Sequence, residues 1–192
     1  MTPKQEERLR IKISNIRREL AADKKRWGGF YDDSRGLRYL PPELFIKLRD
    51  YKGGLRYLRW FKRTFSDDMG YSIFFFEWAL ILFKTGNFGE AENKVLEIFF
   101  SNYFLLDKFL GKEQKIYLDN EYSSREADML NYSNKEPEYA DFAEWLELFQ
   151  SSAKFKEFAK KLLDIDEKIE NKPVGERRSE LVDKRYQLIS DL

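Results

Sequence analysis

One stretch, residues 75–99 (FFEWALILFKTGNFGEAENKVLEIF), constrains the fold more than any other part of the chain. Two apolar-rich segments flank the tetrapeptide Lys84-Thr85-Gly86-Asn87. Before it, Phe75, Trp78, Ala79 and Leu82 fall on one side of a helix; after it, Phe88, Ala91, Val95 and Ile98 recur every three or four residues. That period predicts two helices burying facing stripes, an αα-hairpin. Gly86 suits the end of the first helix, where left-handed backbone would burden any residue with a Cβ. Ala91 is small enough to let the second helix approach the first.

The rest of the chain continues in helices. Residues 4–26 carry Leu9, Ile13, Ile16 and Leu20 on one stripe and end at Trp27-Gly28-Gly29. A loop follows, whose Phe30, Tyr31 and Tyr39 are expected to pack back onto the helices. Pro41-Pro42 opens a short helix, 43–51, because a first turn tolerates proline. Gly53-Gly54 is read as its break, and Leu55, Leu58, Phe61 and Phe65 mark the next helix. The segments LRDYKGGLRYLRWFKRTF and ILFKTGNFGEAENKVLEIF share a faint repeat, so hairpins at 42–65 and 71–101 are expected to stack. Further helices are expected at 103–110, stopped by Gly111, after Ser123 or Ser124 as a cap, and at 137–150, 153–170 and 176–192, with Leu181, Tyr186 and Leu188 or Ile189 facing inward. The helices 137–150 and 153–170 should form another antiparallel pair. Only 115–118 has the look of a strand, with no obvious partner.

Trp78-Ala79, Leu82, Gly86, Phe88, Ala91, Val95 and Ile98 resemble a tetratricopeptide repeat, whose pattern is roughly W-x2-L-G-x2-Y…A-x3-F…P. By that resemblance Trp78 lies on the inner helix, Ala79 takes the small position beside it and Gly86 closes the turn, while Phe88 and Ala91 belong to the outer helix. Three positions depart from the pattern: Phe75 stands at the usual tryptophan position, Ile98 replaces a small residue, and Tyr103 stands where the terminal proline falls. The expected fold is therefore all-α: antiparallel helical hairpins stacked in a short tetratricopeptide-like array, with additional N- and C-terminal helices, in one domain over 1–192.

Composition narrows the function. The 192 residues contain no Cys and no His, which removes disulfides, thiolate chemistry, the usual zinc ligands and the commonest general base. No GxxxxGK[ST] segment is present, and Gly53-Gly54 lacks the Lys-Ser/Thr that cradles phosphate. Asp67-Asp68 and the cluster Asp119, Glu121, Glu126 and Asp128 are acidic but do not make a coordination set. No enzyme activity, cofactor or metal is expected. No apolar run approaches the roughly 20 residues that cross a bilayer, and the first ten residues read as the start of an amphipathic helix, so a cytoplasmic protein without a membrane partner is expected.

Charge is uneven. Residues 1–63 hold 18 Lys and Arg against 8 Asp and Glu, a net +10; residues 64–192 hold 17 against 26, a net −9. Two binding surfaces follow. A concave face of stacked first helices would offer Lys47, Tyr51, Tyr71, Phe74, Glu77 and Ile81 to another protein or a peptide, and the three successive rings of Phe74, Phe75 and Phe76 cannot all enter one stripe. Such a module is the leading expectation, as an adaptor, a regulatory subunit or a neutralising partner; self-association is left open. The alternative is RNA or single-stranded DNA on the basic face of residues 49–63, where Arg49, Lys52, Arg56, Arg59 and Arg63 interleave with Trp60 and aromatic rings can stack on bases.

Overall fold

A computed structural model describes residues 1–66, 68, 70–113, 121–190 and 192, with side chains throughout except at 121–124. Among these residues the chain forms ten α-helices, two short 3-10 turns and no strand. The segment 115–118 and the residues Asp67 and Asp119 lie outside the described residues. The chain divides into two compact units, one comprising residues 1–70 and 80–87, the other 71–79 and 88–192.

In the first unit, α1 (Pro3–Arg26) begins with a capping box in which Thr2 and Gln5 satisfy each other's backbone N–H groups. Ile13, Ile16 and Leu20 are its buried stripe, while Leu9 is only half-buried. α2 (Pro41–Lys47) and α3 (Tyr51–Thr64) pack closely. Of the loop aromatics, Tyr31 packs on Trp60 and Phe65 and Tyr39 on Phe61, whereas Phe30 is exposed.

The break between α2 and α3 is not at Gly53-Gly54. The chain turns at Leu48, Arg49 and Asp50. Arg49 takes left-handed backbone, φ 54°, and the Asp50 N–H reaches back to the Phe45 carbonyl. Asp50 then caps α3 by accepting the Gly53 N–H at 2.8 Å. Gly53 and Gly54 belong to the first turn of α3 and are there for proximity. A Cβ on Gly54 would lie 2.9 Å from Ile81 Cδ1 and 3.2 Å from Phe45 Cβ; one on Gly53 would meet the Asp50 carboxylate at 2.4 Å.

α4 (Ser72–Lys84) and α5 (Phe88–Ser101) form the second packed pair, with Lys94 Nζ 4.2 Å from the Trp78 ring centroid and 4.8 Å from that of Phe75. The turn is the expected one: Gly86 has φ 76°, and the Asn87 N–H bonds the Leu82 carbonyl at 2.9 Å. The expected single stripe on α4 is too narrow. Phe74, Phe76, Ala79, Leu80 and Ile81 are fully enclosed, so the helix is buried nearly all round, as its continuous apolar run allows. On α5, Ala91, Val95 and Ile98 are buried as their spacing requires, whereas Phe88 is 50% exposed.

The second unit adds α6 (Leu105–Leu110), ended by Gly111 in left-handed backbone, α7 (Glu121–Asp128), α8 (Ala140–Ser151), α9 (Ala153–Glu170) and α10 (Glu176–Ser190). Ser123 and Ser124 fall inside α7 and not at its start. Phe76, Phe109, Phe142 and Tyr132 form an aromatic core with ring centroids 4.9–5.6 Å apart. α8 and α9 pack together, Phe149 meeting Phe155. α10 packs on α9 without burying any residue fully, and Tyr186, expected inside, is 45% exposed with one face on Phe100.

Candidate functional site

α3 carries its charge on one open face. Lys52, Arg56 and Arg59 stand at positions i, i+4 and i+7, all exposed, opposite the buried Leu58 and Phe61. Among the described residues none of these three cations makes a hydrogen bond or an ion pair. They border an open cleft of about 780 Å³. Arg49 also lines it, and Leu55 and Tyr51 supply apolar wall. The opposite rim is the α4–α5 turn, from Lys84 to Asn87.

One acid enters this cleft, Asp50, and it is already in use. One of its oxygens accepts the Gly53 N–H, and the other lies 3.8 Å from Arg10 of α1. Lys84 Nζ sits 5.9 Å from the Tyr51 ring centroid, at the outer limit of a cation–π contact. A second cleft, of about 500 Å³, lies on the α1 side of α3, with Arg17, Ser14 and Trp60 in its lining; Arg56 borders both.

The aromatic rings beside these cations serve the fold. Trp60 packs against Tyr57 at 5.2 Å, Phe65 at 5.7 Å and Tyr31 at 6.3 Å. Tyr57 is buried, and its hydroxyl donates to the Arg38 carbonyl at 2.6 Å. Burial pushes its hydroxyl pKa well above the ordinary value of a tyrosine.

The residues proposed from sequence divide by position. Arg49, Lys52, Arg56 and Arg59 line the cleft; Arg63 is exposed further along α3, and Trp60 lines the neighbouring cleft. Of the residues expected on a concave face, Tyr51 lines the cleft, and Lys47 is exposed and paired with Glu43 at 2.5 Å. Tyr71 is partly exposed. Phe74, Glu77 and Ile81 are interior: Phe74 packs on Trp78, Glu77 accepts a hydrogen bond from the Tyr132 hydroxyl at 2.8 Å, and Ile81 lies against Gly54. They are not surface in the folded chain. Lys84 is the cleft cation that the sequence pattern missed. It ends one helix while Lys52 opens another, and nothing in their spacing links them.

The acidic candidates with described side chains are each held by neighbours. Asp68 accepts from Arg38 Nε at 2.7 Å, the Tyr39 hydroxyl at 2.5 Å and the Gly70 N–H at 2.8 Å. Burial opposes its charge, but these bonds and the guanidinium outweigh burial and hold its carboxyl below the ordinary range. Glu126 accepts from the Ser72 N–H and hydroxyl and from Asn102, and Asp128 pairs with Lys108 at 2.5 Å. The Glu121 side chain is outside the described set. Among the described residues no three acids converge as metal ligands would, and no helix is long and apolar enough to cross a membrane. No protein family, curated protein or solved structure significantly matches the chain.

Proposed function

We propose that the chain is a non-enzymatic protein-interaction module. In this reading α4–α5 is a tetratricopeptide-like hairpin, α2–α3 a degenerate unit before it, and the partner sits in the basic cleft of the first unit. The observation that carries it is the row Lys52, Arg56 and Arg59, exposed and without an acidic partner along an open groove. A fold normally intersperses surface cations with acids; a row left unpaired is complementary to a negatively charged surface and steers it in. The hairpin likeness is supported by Gly86 in left-handed backbone and by buried Ala91 and Trp78 on the paired helices.

RNA or single-stranded DNA is the competing reading, favoured by the same cations. Against it stand the rings: Trp60, Tyr57 and Tyr31 pack on one another, and Tyr51 lies beside Lys84, where single-strand binders present open stacking faces. The test is capture from the source cell on immobilised wild type and on the R56E/R59E variant. A stoichiometric protein retained by the wild type and lost from the variant is the expected result. A nuclease-sensitive complex, or a partner held equally by both, contradicts the reading.

A further inference from the structure

The cleft has features that specify its occupant. Its unpaired cations lie in a line: Lys52 to Arg56 is a rise of about 6 Å along α3, and Arg56 to Arg59 about 4.5 Å. A single phosphate or sulfate needs donors converging on one point, whereas these cations are ranged along a line, and the Gly53 N–H at the start of α3 is already taken by Asp50. An extended chain repeats the same side every two residues, about 6.6 Å. Carboxylates on alternate residues therefore come close to the Lys52–Arg56 interval, the long side chains of Arg56 and Arg59 can reach over the shorter one, and Leu55 and Tyr51 offer apolar wall to what lies between them.

Arg49 supplies the second, independent observation. It is the only non-glycine residue with positive φ among the described residues, at 54°. It occupies the C-terminal position of α2 that glycine fills most cheaply, because left-handed backbone disfavours a residue with a Cβ. An arginine at that position gives up backbone ease and adds a cation to the lining of the cleft.

We propose that the cleft binds a linear acidic segment of a partner chain, its carboxylates ranged along Lys52, Arg56 and Arg59, with Arg49 adding a contact as a specificity residue. This rests on the reading of the cleft as a protein-binding surface and adds the chemistry of what it holds.

Fluorescence anisotropy on the full chain tests it, using a labelled twelve-residue peptide, three repeats of Glu-Leu-Glu-Ser. Its counterpart with Gln for every Glu, a twelve-nucleotide oligothymidylate and inorganic pyrophosphate serve as comparisons. Saturable binding of the acidic peptide, weaker as salt rises and absent from the Gln peptide, is expected. R56Q/R59Q should weaken it about tenfold. R49N, which keeps a residue tolerant of left-handed backbone, should weaken it several-fold, and R49K should restore most of the affinity. No saturable binding of the acidic peptide at millimolar concentration overturns the proposal, as does tighter binding of oligothymidylate or pyrophosphate. R49N binding as well as wild type removes Arg49 from it. If R56E/R59E loses a captured protein that the acidic peptide does not displace, the protein-binding reading stands and the linear acidic ligand fails. If no protein is captured and no peptide binds, both fail.

Discussion

In the first unit the cations of α3 face water without acids, while in the second Arg185 reaches inward to Asp166 at 2.6 Å and to the Phe100 carbonyl at 2.8 Å, with its guanidinium 3.8 Å from the Phe100 ring centroid. The Tyr103 hydroxyl donates to the same Asp166. Ser72, Asn102 and Glu126 make a second internal cluster there, and Glu77 with Tyr132 a third. The composition follows the same division: 19 Lys and Arg against 10 Asp and Glu in the first unit, 16 against 24 in the second. Both units hold elements together with buried charge, Arg38 with Asp68 in the first and Arg185 with Asp166 in the second; the first also lines an open cleft with a row of exposed cations. The difference teaches where to look for binding. Charges with internal partners are explained by stability, and the unpaired row on α3 is where the proposed partner is to be sought.

The sharpest way to break this contrast is to disarm the second unit. Arg185→Ala leaves Asp166 buried without its cation and is expected to cost about 3 kcal/mol, seen as a lower denaturation midpoint and faster hydrogen exchange along α10. A loss below about 0.5 kcal/mol would put Arg185 in the same class as the α3 cations. In the first unit the equivalent sensitivity is steric. Gly53→Ala drives a Cβ into the Asp50 carboxylate and the Phe45 ring, and should cost about 1–3 kcal/mol through overpacking and loss of the cap.

Acid and alkali separate the carboxylate network from the buried tyrosines. Asp68→Asn should destabilise by about 2 kcal/mol, because charge-assisted bonds from Arg38 and Tyr39 are weakened. Asp68 is held below the ordinary carboxyl pKa, so the folded state binds fewer protons than the unfolded one as the pH drops through about 4. Its contribution is complete above that pH and is lost as acid titrates the folded carboxyl; the acid limb of the stability curve should flatten in D68N. The tyrosines run the other way. Burial raises Tyr57, and burial with the Asp166 contact raises Tyr103. Their contribution is whole below about pH 10 and falls above it, since the unfolded chain ionises first. Tyr103→Phe should reduce that alkaline loss.

The smallest effect on stability belongs to the cleft. Arg56→Gln with Arg59→Gln should change unfolding free energy by less than about 0.5 kcal/mol, since neither cation has a partner to lose. A larger loss, measured by urea denaturation, would mean that the row serves the fold.

Helical periodicity and Gly86 made the α4–α5 hairpin legible in the sequence, because turn chemistry and apolar spacing agree there. At Gly53-Gly54 the same reasoning misled. Glycine read as punctuation was glycine read too locally: its role is to admit Phe45 and Ile81, residues distant in sequence. The real break lies at Arg49, a residue with no turn signature, adopting its backbone because Asp50 caps the next helix. Three of the surface candidates are interior for a related reason. Phe74, Glu77 and Ile81 lie off the stripe of Phe75, Trp78, Ala79 and Leu82, and one buried stripe predicts them exposed on a helix that is in fact buried nearly all round. The basic run on α3 was legible from its spacing; that Lys84 faces the same groove was not, since only tertiary structure brings the two helices together.

The central claim is that the α3 cleft, and not the acidic second unit, receives the partner. Hydrogen-exchange mass spectrometry of the full chain with and without its captured protein partner tests this directly. Slower exchange in peptides covering residues 48–60 and 84–87, absent when R56E/R59E replaces the wild type, is the expected result. Protection confined to peptides from 88–192, with 48–60 and 84–87 unchanged, would contradict it.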